Sequence, residues 1–194
     1  VLGVGMALGS TPLEHCAVIE LRDYLMQSLT ADPVIPLFEG EHYADGGETE
    51  NFAEGEGAAW CVAFTDDGAV LRESYVNLIP TVAGGTHESG LRAALSKGLR
   101  DFGERVGNRK AAQVTAEDVQ GTATAMLSVF IREPEFQGQT KDKLATQEAS
   151  RIVENAVRDA FDHWLTDSPQ QATRLLEWAI DQAEDRLKKR REKE

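Results

Sequence analysis

Two short stretches carry residue types that could handle a phosphate. Glu135–Leu144 reads EFQGQTKDKL, a polar segment that contains Gly138 and presents Gln139, Thr140, Lys141 and Lys143. A lysine on such a loop can bring a mobile point charge to a phosphate. The plainer alternative is a solvated connection with ordinary surface lysines. The second stretch is Gly84-Gly85-Thr86-His87, set directly before a helical pattern. A helix N-terminus can hold an anion, but two glycines there also suit a tight strand-to-helix turn. Metal chemistry has little support. His15, His42, His87 and His163 are scattered, and neither Cys16 nor Cys61 has a Cys or His partner at ligand spacing. No GxSxG, GxxxxGK[ST] or complete GxGxxG is present.

The elements that must position these stretches follow from periodicity. Residues 19–29 place Ile19, Leu21, Leu25 and Leu29 at spacings of a short helix, stopped by Pro33 and Pro36. Residues 39–57, rich in Gly and Glu, read as a loop or a ragged strand pair. The apolar runs 58–64 and 69–79 flank Thr65-Asp66-Asp67-Gly68, which predicts a hairpin between them, closed by Pro80. Leu91, Leu95, Leu99 and Phe102 predict a helix, with Thr86 as its N-cap. Thr115–Asp118 opens a short helical turn, and 122–133 is a strand bounded by Gly121 and Pro134. The strongest helix is 147–165, where Ala149, Ile152, Val153, Ala156, Val157, Ala160, Phe161, Trp164 and Leu165 form one stripe. Ser168-Pro169-Gln170-Gln171 then predicts a capping box and a last helix. Its face is Leu175, Leu176, Ala179, Ile180, Ala183 and Leu187. The sum is an α/β (α+β) fold of two layers with a long C-terminal helix.

The chain has 194 residues and a net charge of -13. Residues 39–73 hold ten acids and one base, whereas Lys188, Lys189, Arg190, Arg191 and Lys193 crowd the end of the last helix. A chain this acidic is a poor free-standing nucleic-acid binder, although a module whose neighbours supply the DNA contacts remains open. Two cysteines make no disulfide framework, which fits a reduced cytosolic setting. No apolar run is long enough to span a bilayer, and 1–9 has no basic n-region. The charged last helix, without a Gly or Pro stop, reads as cut rather than finished.

The residues quoted above also resemble a known family. RESYVNLIPTVAGGTHESGLRAAL (72–95) and SVFIREPEFQGQTKDKLATQEA (128–149) resemble the B subunits of bacterial type IIA DNA topoisomerases. The GGTH and QTK motifs stand in the family order. ESYVNLIPT, FQGQTK and HWL (163–165) are more similar to the topoisomerase IV branch, ParE, than to gyrase B. The resemblance covers 19–194 and points to the second domain of that protein, the transducer.

That resemblance implies a ribosomal-protein-S5-domain-2-like fold with a left-handed crossover, against the usual right-handed rule. It implies an unassigned N-terminal segment 1–18, a transducer over 19–167, and a helix 168–194 leading toward a TOPRIM domain outside this chain. A GHKL ATPase domain would precede it. By motif match Gln139, Thr140 and Lys141 contact ATP. Gln139 donates a hydrogen bond to the γ-phosphate, and Lys141 sets a catalytic positive charge beside it. Arg92 faces duplex DNA, His87 ties down the turn, and Mg²⁺ is bound by domains outside this chain. The partners implied are double-stranded DNA, the topoisomerase IV A subunit (ParC), and a second copy of the ParE-type protein. Dimer contacts lie mainly in the ATPase domain, so this segment alone is expected to be a monomer. The setting implied is cytoplasmic and nucleoid-associated, in relaxation and decatenation during chromosome segregation. A gyrase B transducer and a non-catalytic S5-like nucleic-acid-binding module are the alternatives.

Overall fold

The computed structural model describes residues 21–46, 52–66, 72–120 and 123–193. The segment 1–18 and the Asp67-Gly68 turn lie outside the described residues. A first helix, α1, covers 21–28. It is followed by β1 (Phe38–Tyr43), β2 (Gly57–Phe64), β3 (Arg72–Val76) and β4 (Ile79–Pro80). Then come α2 (Thr86–Arg105), a 3₁₀ turn (Arg109–Gln113), α3 (Ala116–Gln120) and β5 (Ala123–Phe130). Two long helices, α4 (Gln147–Asp167) and α5 (Pro169–Arg191), complete the order.

β2 is buried at all eight positions. Such a strand needs a neighbour on each edge and cover on each face. The sheet supplies this with the order β1-β2-β5-β3-β4. β2 pairs antiparallel with β1 (Phe38 opposite Val62) and with β5 (Trp60 opposite Leu127). β3 lies parallel to β5, with Ser74 opposite Leu127, and antiparallel to the two-residue β4. The expected hairpin between 58–64 and 69–79 is therefore corrected: β5 sits between β2 and β3. The run 69–79 instead contains its own tight turn. Asn77 (φ 48°) and Leu78 (φ 67°) turn β3 into β4 with both central residues left-handed. Of the stretch 39–57, read as a loop or a ragged strand pair, 39–43 belong to the edge strand β1 and Gly57 opens β2, opposite Tyr43.

Alternation along β2 and β5 splits the core into two faces. Trp60, Val62, Phe64, Leu127 and Val129 face α2 and α4 in the main cluster. Ala59, Cys61, Ala63 and Met126 face Leu21 and Leu25 of α1. Helices thus cover both faces, and the two-layer expectation gives way to a sheet between unequal helical layers. On the main face Phe38 stacks near Trp60, Phe161 and Trp164, with ring centroids 4.9–5.7 Å away. Such aromatic contacts add about 0.5–1.5 kcal/mol each beyond area burial. α2 approaches α4 closely because Gly90 lacks a Cβ, which would strike the Ser150 carbonyl.

β3 and β5 are parallel, so the chain must cross over between them. α2, the 3₁₀ turn and α3 make that crossover. α3 opens as expected: Asp118 accepts from the Thr115 amide (2.8 Å) and hydroxyl (2.9 Å). Asp118 also grips Arg186 of α5 at 2.7 and 3.0 Å. Leu175, Leu176, Ala179, Ile180 and Ala183 of α5 join the main cluster. Two capping expectations are corrected. Gly85, not Thr86, is the N-cap of α2; Ser168 is the N-cap of α5 with Pro169 following it, but the Ser168 side chain makes no capping bond.

Candidate functional site

The strand β5 ends at Phe130, and the chain does not enter α4 directly. Phe136 and Leu144 pair as an antiparallel bridge. The Gln137 amide donates to the Lys143 carbonyl (2.8 Å), and the Ala145 amide to the Glu135 carbonyl (2.7 Å). Residues 137–143 are therefore a closed tip on a hydrogen-bonded stem. Gly138 makes the turn with φ 83°. Gln139, Thr140 and Lys141 stand exposed on that tip. Among the described residues, none of these three side chains is engaged in a hydrogen bond or ion pair.

The stem is clamped by the second motif. Leu144 is buried and runs beside Gly85 as a parallel bridge. Its amide donates to the Gly84 carbonyl (3.0 Å), and its carbonyl accepts from the Thr86 amide (3.2 Å). The Ala83 amide reaches the Asp142 carbonyl at 2.8 Å. The Thr86 hydroxyl donates to the Thr146 carbonyl (2.5 Å), and the Thr146 hydroxyl accepts from the Glu135 amide (2.7 Å). Gly85 is needed here in the literal steric sense. It sits at φ 151°, and a Cβ would lie 2.5 Å from the Leu144 carbonyl oxygen. The two sequence motifs are thus one structure: the Gly84–His87 turn is filled by the loop's own Leu144.

Below this clamp lies a buried polar chain. His87 is fully buried, with Nε2 3.1 Å from the Thr81 hydroxyl. The Thr81 hydroxyl is 2.9 Å from the Ser74 carbonyl and 2.7 Å from the Ser74 hydroxyl. Ser74 donates to Glu88 at 2.7 Å, and the other Glu88 oxygen is 3.3 Å from Arg92. Counting protons assigns the imidazole tautomer. Ser74 gives its proton to the carboxylate and Thr81 gives its own to a Ser74 oxygen. His87 must then donate from Nε2, which leaves Nδ1 a buried acceptor without a partner among the described residues. Burial pushes the His87 imidazole down to about 4, against a smaller upward pull from Glu88. His87 is a neutral strut of the turn, the part the resemblance implied for it.

Arg92 stands apart from the loop tip. It is six residues along α2 from Thr86, about 9 Å in a helix, half-exposed and paired with Glu88. Sequence reasoning missed Ser74, Thr81, Glu88 and Thr146; apart from the i,i+4 pair of Glu88 with Arg92, their side-chain contacts join residues 6–60 positions apart with no spacing signature. Cys61 is buried, and burial with the nearby Glu39 carboxylate pushes its thiol up to about 12. Among the described residues no three His, Cys, Asp or Glu side chains are grouped to hold a metal ion. Nor is any described helix long and apolar enough to cross a membrane.

The chain is similar to known proteins over nearly this whole range. It is 47% identical over 174 residues to the B subunit of DNA topoisomerase 4 from Bartonella bacilliformis, covering 90% of this chain and 24% of the relative. The chain thus spans about a quarter of the length of such curated relatives. Among solved structures, it superposes on the 43K ATPase domain of Thermus thermophilus gyrase B, crystallised with an aminocoumarin. The TM-score is 0.72 at 25% identity, over 89% of this chain and 45% of that one. The topoisomerase IV ATP-binding domain of Francisella tularensis, with a small-molecule inhibitor, gives 0.65 at 28% identity, over 86% and 43%. The family model described as DNA gyrase B matches residues 20–194. With the clamped loop and the glycine turn carried on a mixed sheet of this topology, the chain belongs to the DNA gyrase B family.

Proposed function

We propose that residues 19–167 are the transducer of an ATP-dependent type IIA DNA topoisomerase, in a B subunit of the topoisomerase IV kind. In this reading the crossover through α2 and α3 is the left-handed one of the S5-domain-2 fold, and 168–194 leads toward a TOPRIM domain. The single observation that carries the reading is the loop tip. Gln139, Thr140 and Lys141 are held out on a stem braced by five backbone hydrogen bonds, yet among the described residues their own side chains have no partner. A rigid stem with free amide, hydroxyl and ammonium donors suits an anion presented from outside the chain. The γ-phosphate of ATP, bound on a preceding nucleotide domain, is that anion. Mg²⁺ would accompany the nucleotide on that domain.

The coupling follows from when the contact exists. Lys141 and Gln139 have a partner only while the γ-phosphate is present. The contact therefore favours the closed arrangement of the two domains before hydrolysis and not after it. A cation beside the transferring phosphoryl also stabilises its developing charge. Duplex DNA passing with an A subunit would be sensed elsewhere, with Arg92 as the candidate phosphate contact. Glu88 then holds the guanidinium in place until a phosphate competes for it. A fusion carrying a cognate ATPase domain before residue 19 tests the reading. Lys141→Ala should cut ATP turnover by about two orders of magnitude while nucleotide binding survives. Unchanged turnover refutes the assignment.

A further inference from the structure

Three apolar side chains stand exposed within five residues beside the loop. Leu78 is 71% exposed, Ile79 37% and Val82 83%. Leu78 is the more telling, because it occupies a left-handed turn position (φ 67°) where Asn or Gly is the unstrained choice. A leucine there gains nothing from its own fold: it is strained and it is not buried.

We propose that Leu78, Ile79 and Val82 form a standing apolar contact for the nucleotide-binding domain that precedes this chain in its parent protein. This inference rests on the assignment of the loop tip given above. Proximity fixes the occupant. Val82 adjoins Ala83, whose amide bonds the Asp142 carbonyl at 2.8 Å, and Asp142 follows Lys141. The backbones of Val82 and Lys141 are then within about 13 Å. A stable contact covers about 800 Å² per side, a disc of about 16 Å radius. A contact of that size centred on Lys141 therefore reaches Val82. The Asn77 side chain bonds the Ile131 carbonyl (2.8 Å) and accepts from the Ile131 amide (3.0 Å). That pins Leu78 to the root of the same loop. More than half of the matched gyrase B ATPase-domain chain lies outside this one, which gives such a body. The apolar contact needs no phosphate. It would hold the two domains together through the whole cycle, as a pivot about which the Lys141 contact forms and breaks.

Hydroxyl-radical labelling of the full-length protein tests this with an internal standard. Val106 is 54% exposed at the far end of α2, about 30 Å from its start. On exposure in this chain alone, Val82 should label faster than Val106. The proposal expects the reverse in the nucleotide-free full-length protein, and again in Lys141→Ala, with protection unchanged on dilution. The double variant Leu78→Asn/Val82→Ser keeps the turn, since Asn tolerates left-handed backbone, and should lower ATP turnover by about tenfold. Val82 labelling faster than Val106 overturns the proposal, as does protection that vanishes on dilution, which would make a second copy the occupant. If Lys141→Ala leaves turnover intact while Val82 stays protected, the loop assignment fails and the docking surface stands. If Lys141→Ala abolishes turnover while Val82 labels freely, only the docking surface fails.

Discussion

Gly85→Ala is the substitution that most directly attacks the clamp between the two motifs. Gly85 sits at φ 151° and ψ -162°, a region that residues with a Cβ avoid. Placing alanine there costs about 1–3 kcal/mol in backbone strain. The new Cβ would also lie 2.5 Å from the Leu144 carbonyl oxygen and 2.8 Å from its amide nitrogen, both backbone atoms. Relief requires Leu144 to withdraw, which breaks its bonds to the Gly84 carbonyl and the Thr86 amide. Two such bonds contribute about 1 kcal/mol each. The combined loss is about 3–5 kcal/mol, a fall in Tm of about 6–20 °C for a chain this size. Gly138→Ala is the matched control: it also has positive φ (83°), but nothing lies within 4 Å of its added Cβ. Its cost is the turn alone, about 1 kcal/mol. Thermal unfolding followed by circular dichroism reads both. A Gly85→Ala chain that melts within about 2 °C of the parent, or no lower than Gly138→Ala, refutes the clamp.

Other consequences are read from charge. His87 is buried neutral with its folded pKa depressed to about 4, below the ordinary 6.5. The unfolded chain therefore binds the extra proton first, and stability is lost as pH falls from 6.5 toward 4, by about 3 kcal/mol at the end of that window. Urea unfolding across this range should show the slope, and His87→Gln should remove it. Asp118 behaves differently. Burial pushes its carboxyl up, but Arg186 and the Thr115 donors outweigh burial and hold it below the usual carboxylate range. Its contribution is present above pH 4 and fades only as pH drops through that lowered value. Asp118→Ala removes the α3 cap and strands Arg186, at a cost of about 2–3 kcal/mol by denaturant titration. Arg105→Ala, by contrast, breaks an ion pair whose partners are both about half exposed. It should change stability by less than about 0.5 kcal/mol in the same titration.

Helices are the most legible elements, because an apolar stripe with period 3.6 has one interpretation at this length. α2 and α4 lie where Leu91–Phe102 and Ala149–Leu165 put them. Strand pairing is not legible in the same way. Asp66–Gly68 is good local turn chemistry, but pairing partners are chosen by burial over the whole sheet. The signal against a simple hairpin is present in AAWCVAF, which has no polar face at all. A strand with both faces and both edges occupied belongs at a sheet's centre. β1 is hidden by its acids: Glu39 and Glu41 line an edge strand whose alternate residues are only half-buried. The loop and the glycine turn are each readable as motifs, but their union through Leu144 is not. A buried leucine bridging two backbone segments 60 residues apart leaves no spacing pattern. The polar chain from His87 to Arg92 is invisible for the same reason, since it draws on a strand, a turn and a helix.

In the proposed function Lys141, and not the basic loop in general, meets the terminal phosphate. ATP turnover of the full-length protein, compared between Lys141→Ala and Lys143→Ala, tests it most directly. Both lysines are exposed on the same seven-residue tip, so general loss of charge affects them alike. Turnover should fall by about 100-fold in Lys141→Ala and by less than about threefold in Lys143→Ala, with nucleotide binding retained in both. Equal effects of the two substitutions, or full turnover in Lys141→Ala, contradict it.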